Sequence, residues 1–198
     1  MISQLRTFPN QLTLLRLIFI PFIVIAILDE EWKWALGLFV LAGLTDNLDG
    51  LLARLLKQKT VLGQYLDPIA DKLLLSTLFL VLSLVHKIPW KFTVLVFSRD
   101  VGIVVTSAIL YATTSLREFP PSFLGKANTG AQIVTLFFVL LREVRPEAWV
   151  ATAAVVGLWA TMAFTVLSGL HYIIIVNRRL RAAGGETSGA SGQPPTPS

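Results

Sequence analysis

Asp46 and Asp49 stand three residues apart, and Asp67 and Asp71 four apart, in stretches otherwise rich in Leu, Ala and Gly. Both spacings put a pair of acids on one face of a helix. A carboxylate in an apolar setting is expensive. Even low estimates put one at a bilayer centre at about 2.5–3.5 kcal/mol, so four would cost roughly 10 kcal/mol if uncompensated and additive. The nearby cations Arg54 and Lys72 supply only two positive charges. Two divalent ions would neutralise the quartet, and hard oxygen ligands favour Mg²⁺ or Mn²⁺, with Ca²⁺ as a third option. Gly50, Ala53 and Arg54 continue the stripe of Asp46 and Asp49, while Gly63 precedes Asp67 and Asp71 on theirs. Small residues there leave a bare patch where a nucleotide can approach the helix. They also serve plain helix packing in membranes, but interleaved with acids they favour a ligand.

The elements that must position these groups are membrane spans. The chain of 198 residues is 54% hydrophobic and only 15% charged, with a mean hydropathy of +0.69, where soluble domains carry about a quarter charged residues. Its composition fits an all-α membrane protein of six helices, expected over about Gln11–Leu28, Trp34–Leu56, Gly63–Val85, Phe92–Thr114, Ala127–Leu141 and Ala148–Val176. The short link from Lys57 to Leu62 makes the second and third helices antiparallel neighbours, so that their acidic stripes can face each other. Residues 1–10 are expected to form an interfacial segment, with Asn10 or Thr13 capping the first helix. Residues 11–181 form the helical domain, and the Gly/Ser/Pro-rich stretch 182–198 is expected to be disordered. No cleavable signal peptide is evident, and the absence of cysteine rules out thiolate chemistry.

Charge sets the expected orientation. Counting Arg6, Arg16, Arg54, Lys57, Lys59, Arg117, Lys126, Arg178, Arg179 and Arg181 on one side gives ten basic residues, against five on the other: Lys33, Lys87, Lys91, Arg142 and Arg145. The positive-inside rule then places both termini in the cytoplasm, and Trp32, Trp34, Trp90 and Trp149 fall at the sparser face as interfacial aromatics. The net charge of +5 is accounted for by this loop bias, not by nucleic-acid binding.

The run Asp46-Asn47-Leu48-Asp49-Gly50-Leu51-Leu52-Ala53-Arg54, then eight residues, Gly63, three residues, Asp67, three residues and Asp71 resembles the signature D-x2-D-G-x2-A-R-x8-G-x3-D-x3-D of the CDP-alcohol phosphotransferases. All eight fixed positions match. The resemblance extends over residues 8–176 and implies a multi-pass enzyme of phospholipid synthesis in a bacterial inner membrane, its active site towards the cytoplasmic leaflet. It implies metal binding by Asp46, Asp49, Asp67 and Asp71, with Asp71 also the general base. Asp46, Gly50, Ala53, Arg54 and Gly63 would line the site for CDP-diacylglycerol. A homodimer is implied by the family alone.

The acceptor alcohol is less sharply marked. Leu41-Ala42-Gly43-Leu44-Thr45-Asp46, Ser98-Arg99-Asp100-Val101 and Ser122-Phe123-Leu124-Gly125-Lys126-Ala127-Asn128-Thr129 look more like the cardiolipin synthases of the superfamily than its phosphatidylglycerophosphate synthases, which tend to carry Arg-Glu at the second place and Lys where Asn128 stands. Phosphatidylglycerol is therefore the favoured acceptor and glycerol 3-phosphate the alternative. Either brings a phosphate, for which Lys126 is the first candidate, Arg117 the second and Arg99 the third. Arg99 beside Asp100 reads first as a structural ion pair with another helix and second as an acceptor-binding group. Lys72 can pair with an acid or meet a phosphate, and His86 and His171 lack metal spacing. A cation transporter also buries carboxylates, but would spread them along a path and often show an inverted repeat; here they fill one 26-residue window.

Overall fold

The computed structural model describes the backbone of residues 8–55, 61–113 and 123–189, and the side chains of residues 14–45, 70–105 and 124–171. All regular structure in these residues is helical. Six helices follow one another: α1 Phe8–Leu28, α2 Trp32–Leu55, α3 Val61–Leu84, α4 Trp90–Thr113, α5 Phe123–Val144 and α6 Ala148–Gly189. α1 lies against both α2 and α3, α5 runs along α6 and touches α2 and α3, and α4 bridges α3 and α6.

Three short connections gather at one end of the bundle. α1 and α3 stop in the same way, with Glu30 and His86 in the left-handed region at φ 59° and 60°. The amides of Glu31 and Lys87 then reach back to the carbonyls of Ala26 and Leu82, each at 2.8 Å. This is the helix stop usually built on glycine. It satisfies carbonyls that a membrane interface would otherwise leave bare and reverses the chain within a few residues.

The core is apolar where the helices meet. Ile23 and Ile27 of α1, Phe39 of α2, Leu78, Phe79 and Leu82 of α3 and Leu136 and Leu140 of α5 are essentially buried. The outside is apolar as well. On α4, Val94, Phe97, Val101, Val104 and Val105 form an exposed stripe at helical spacing, and α1 exposes Ile18, Phe22 and Ile25. A helix that is apolar all round suits lipid, not water. Among the described residues, Leu124–Val144 and Ala148–His171 are long and apolar enough to cross a bilayer. α5 and α6 approach closely at Gly157, where an added Cβ would lie 2.9 Å from Thr135 Oγ1 and 3.3 Å from its Cα. That is the use of small residues expected between membrane helices.

Several expectations need correction. α1 begins at Phe8, so the helix takes in Phe8, Pro9 and Asn10 of the segment expected at the interface, and neither Asn10 nor Thr13 stands at a cap. Pro9 sits in the first turn, where its missing N–H costs nothing. α5 starts four residues before Ala127, inside the loop, and spans 22 residues. α6 continues to Gly189, eight residues into the segment expected to be disordered; Ala182, Ala183 and Glu186 are good helix formers and offset the glycines. Arg16 is no loop charge. It lies inside α1 at 1% exposure, which lowers the tally of ten on that side to nine.

Candidate active site

Arg16 opens the site. On α1 it shares a stripe with Ile23 and Ile27, seven and eleven residues on, the face turned to the core. One turn of polar chemistry therefore ends an otherwise apolar seam. Its Nη1 donates to Asp71 Oδ1 across 2.8 Å, and the Asp71 side chain keeps 37% of its surface open. A buried guanidinium needs such a partner, because an unpaired charge in the interior costs several kcal/mol. The pair ties α1 to α3 and fixes one carboxylate oxygen of Asp71.

The open side of Asp71 faces a cavity of about 440 Å³. Its walls come from α2 through Phe39, Ala42 and Gly43, from α3 through Leu74 and Leu75, and from α5 through Phe137. Over their described residues α2 and α3 make little direct contact. They flank this cavity, each braced against α1. A Cβ at Gly43 would meet nothing within 4 Å, so the α2 wall is bare there. Immediately before Asp46, the Thr45 hydroxyl donates back to the carbonyls of Ala42 and Leu41 at 2.8 and 3.0 Å. Its polarity is thereby satisfied within the helix.

A second polar layer crosses the bundle beside Asp71. Lys72 Nζ lies 2.5 Å from Asp100 Oδ1, the same oxygen that accepts from Arg99 Nη1 at 2.7 Å. Arg99 Nη2 donates to Ser168 Oγ of α6, also at 2.7 Å. Lys72 therefore pairs with an acid of α4, and Arg99 has two of its nitrogens engaged. Nearby on α6, the Thr165 hydroxyl donates to Asn128 Oδ1 at 2.9 Å. Asn128 and Gln132 are buried to 0% and 1% exposure, yet Asn128 Nδ2 and both polar atoms of the Gln132 amide have no hydrogen-bond partner among the described residues. Such atoms cost about 1–3 kcal/mol each. Gln132→Leu should consequently raise stability by about 1–3 kcal/mol in reversible denaturation in detergent; a loss of stability would show that the amide has a partner in solution.

The backbone of Asp46, Asp49, Gly50, Ala53 and Arg54 is helical within α2, and that of Gly63 and Asp67 within α3. Their side chains lie outside the described residues, and Arg117 does so entirely. Lys126 is exposed in the first turn of α5. Among the described residues no three His, Cys, Asp or Glu side chains cluster as metal ligands; three of the four predicted ligands are beyond that description. Asp71 fits such a group: a hard oxygen donor, partly open, on the wall of a cavity.

Residues 6–167 match the family model described as CDP-alcohol phosphatidyltransferase. The chain belongs to that family. A CMP-forming cardiolipin synthase of Rattus norvegicus is 34% identical over 83% of this chain, which spans 59% of that longer protein. A protein of Mycobacterium tuberculosis named "Probable phosphatidylglycerophosphate synthase" is also 34% identical, over 96% of this chain and 89% of its own length. The CDP-diacylglycerol–glycerol-3-phosphate 3-phosphatidyltransferase of Bacillus subtilis is 32% identical, with 83% and 92% covered. Relatives named for different acceptors are thus equally similar, so overall likeness leaves the acceptor open. For this CDP-alcohol phosphatidyltransferase family member, Arg16 is the residue that sequence reasoning missed. The signal was available: a lone arginine within Thr13-Leu14-Leu15-Arg16-Leu17-Ile18 is an intramembrane charge in search of a partner.

Proposed function

We propose that this protein is an integral membrane enzyme that transfers the phosphatidyl group of CDP-diacylglycerol to an alcohol and releases CMP. Phosphatidylglycerol is the favoured acceptor, in a cardiolipin synthase-like reaction, and glycerol 3-phosphate the alternative. The reading includes six spans, cytoplasmic termini and a reaction centre near the cytoplasmic leaflet.

One observation carries it. Ala35, Phe39 and Ala42 are buried along one face of α2, and the cavity begins at Phe39 and Ala42. At 100° per residue the same face continues through positions 46, 49 and 53, and α2 stays helical through Leu55. On α3, Asp71 and Leu75 line the cavity, and position 67 lies one turn before Asp71 in the same helix. The registers of both helices therefore favour convergence of Asp46, Asp49, Asp67 and Asp71 on one space.

Divalent ions bound by these four carboxylates would orient the pyrophosphate and offset the charge on the departing CMP. The chain's own groups supply the rest. Asp71 accepts the proton of the acceptor hydroxyl. The oxygen so freed forms a bond to the β-phosphorus, and the bond from that phosphorus to CMP breaks, its electron pair leaving with CMP. Arg16 positions Asp71 through the 2.8 Å contact. Arg54 offers a planar, bidentate grip on phosphate that Lys could not match, while Gly50, Ala53 and Gly63 leave room for the nucleotide. Lys126 and then Arg117 are the groups proposed for the acceptor phosphate. Arg99, with two nitrogens committed, is the weaker third.

The deciding assay gives the purified protein CDP-diacylglycerol with phosphatidylglycerol, glycerol 3-phosphate or inositol phosphate in turn, and measures CMP and lipid product by chromatography. Cardiolipin formed in step with CMP is expected. Ion movement without CMP release would instead support a transporter. Lys126→Ala should raise the Michaelis constant of the acceptor about tenfold or more, in line with loss of one charged hydrogen bond, and that of CDP-diacylglycerol much less. The reverse order would move the acceptor site elsewhere.

A further inference from the structure

At the end of the bundle opposite Asp71, a second cavity of about 370 Å³ opens between the α3–α4 turn, the end of α5 and the outer face of α6. Lys87, Lys91 and Arg142 border it with His86, and Val155 and Trp159 give it an apolar side. The polar border is built, not a loose scatter. Lys87 Nζ meets Glu143 Oε2 at 2.6 Å, and Arg142 Nη2 meets Glu143 Oε1 at 3.1 Å. Arg142 also donates to the Lys87 carbonyl at 3.3 Å, holding the turn in which His86 takes its positive φ of 60°. Lys87 further lies 4.9 Å from the centre of the Trp32 ring.

Glu143 thus serves two cations, and Lys91 has no carboxylate partner among the described residues. Its ammonium rests instead over Phe92 and Trp159, 5.1 and 4.9 Å from their ring centres. Three positive charges, Lys87, Lys91 and Arg142, border the cavity against one negative charge, Glu143, leaving a surplus of two among these groups. That surplus lies where an exposed apolar helix face, including Val155, Val156 and Trp159, meets the expected membrane boundary.

We propose that this cavity holds the phosphodiester headgroup of an anionic phospholipid, with an acyl chain along the outer face of α6. A zwitterionic lipid brings its own cation to the phosphate and gains little from the surplus. A lipid with net negative charge neutralises it, and basic pockets between membrane helices bind such headgroups on these grounds. Trp159 suits the boundary, since its ring is apolar on its faces and polar at its edge. The inference rests on the membrane-spanning reading but not on the transferase chemistry.

The test uses the full chain in phosphatidylcholine nanodiscs doped with one of two lipids brominated on the acyl chains. One is phosphatidylmethanol, an anionic phosphodiester with no hydroxyl to act as acceptor; the other is phosphatidylcholine. Tryptophan fluorescence reports proximity. Brominated phosphatidylmethanol should quench more strongly at equal mole fraction, and Trp159→Phe should remove most of that difference. Lys91→Gln should lower the preference by about fivefold, the effect expected of one basic group near a lipid surface. Lys33→Gln, an exposed lysine at the same end outside the cavity, should leave it intact. Equal quenching by both lipids would overturn the site, as would a loss of preference in Lys33→Gln as large as in Lys91→Gln. Absence of quenching by either lipid would remove the membrane reading itself.

Discussion

Asp71→Asn should lower turnover by roughly a hundredfold to ten-thousandfold, the range a positioned general base contributes, while CDP-diacylglycerol binding stays measurable. Asn has almost the same shape and keeps an oxygen for Arg16 to approach at the 2.8 Å site, but it cannot take up the proton of an alcohol. The control for folding matters here. Arg16 is 1% exposed, and removing the partner of a buried charge costs about 3–5 kcal/mol. Asp71→Ala should therefore lose stability as well as activity, and only the Asn variant separates the two effects. Rates would be taken from CMP release, and fold integrity from the thermal midpoint in detergent. Undiminished turnover in a folded Asp71→Asn protein would remove Asp71 as the base.

Removal of divalent ions should have an effect of comparable size. Four carboxylates cannot converge in a low-dielectric space without positive charge, and Lys72, the nearest lysine in sequence, is held by Asp100 at 2.5 Å. Arg16 neutralises one acid of the four. In excess chelator CMP release should fall at least about a thousandfold, because electrostatic stabilisation by bound ions is worth several kcal/mol. Added Mg²⁺ or Mn²⁺ should restore it. Full activity in chelator would refute the metal pair and leave the quartet without an explanation.

Asp71 was legible because its cost is legible. A carboxylate inside an apolar span demands compensation whatever the fold, and helical spacing says which acids share a face. The six helices followed from hydropathy to within a few residues at most boundaries. Partners between helices were not legible. Arg16 and Asp71 are 55 residues apart, and a single arginine read as loop charge conceals a buried pair. Lys72 and Asp100 need the rotation of α4 relative to α3, and Asn128 and Thr165 that of α5 relative to α6; no spacing within one helix carries either. The short link between α2 and α3 was read as making them antiparallel neighbours with facing acidic stripes, but a connection constrains only the ends of two helices. Along their length α1 and α5 hold them apart around the cavity. The far end of α6 misled for another reason: composition favoured disorder, while the helix was already nucleated and needed only propagation.

The most direct test is diffraction from crystals grown with Mn²⁺ and CDP-diacylglycerol, collected at a wavelength where manganese scatters anomalously. The account predicts two anomalous peaks per chain, each within about 2.0–2.3 Å of carboxylate oxygens drawn from Asp46, Asp49, Asp67 and Asp71, beside the pyrophosphate of the nucleotide lipid. Well-ordered density for all four side chains with no peak among them, or with the α2 acids too far from the α3 acids to share an ion, would contradict it.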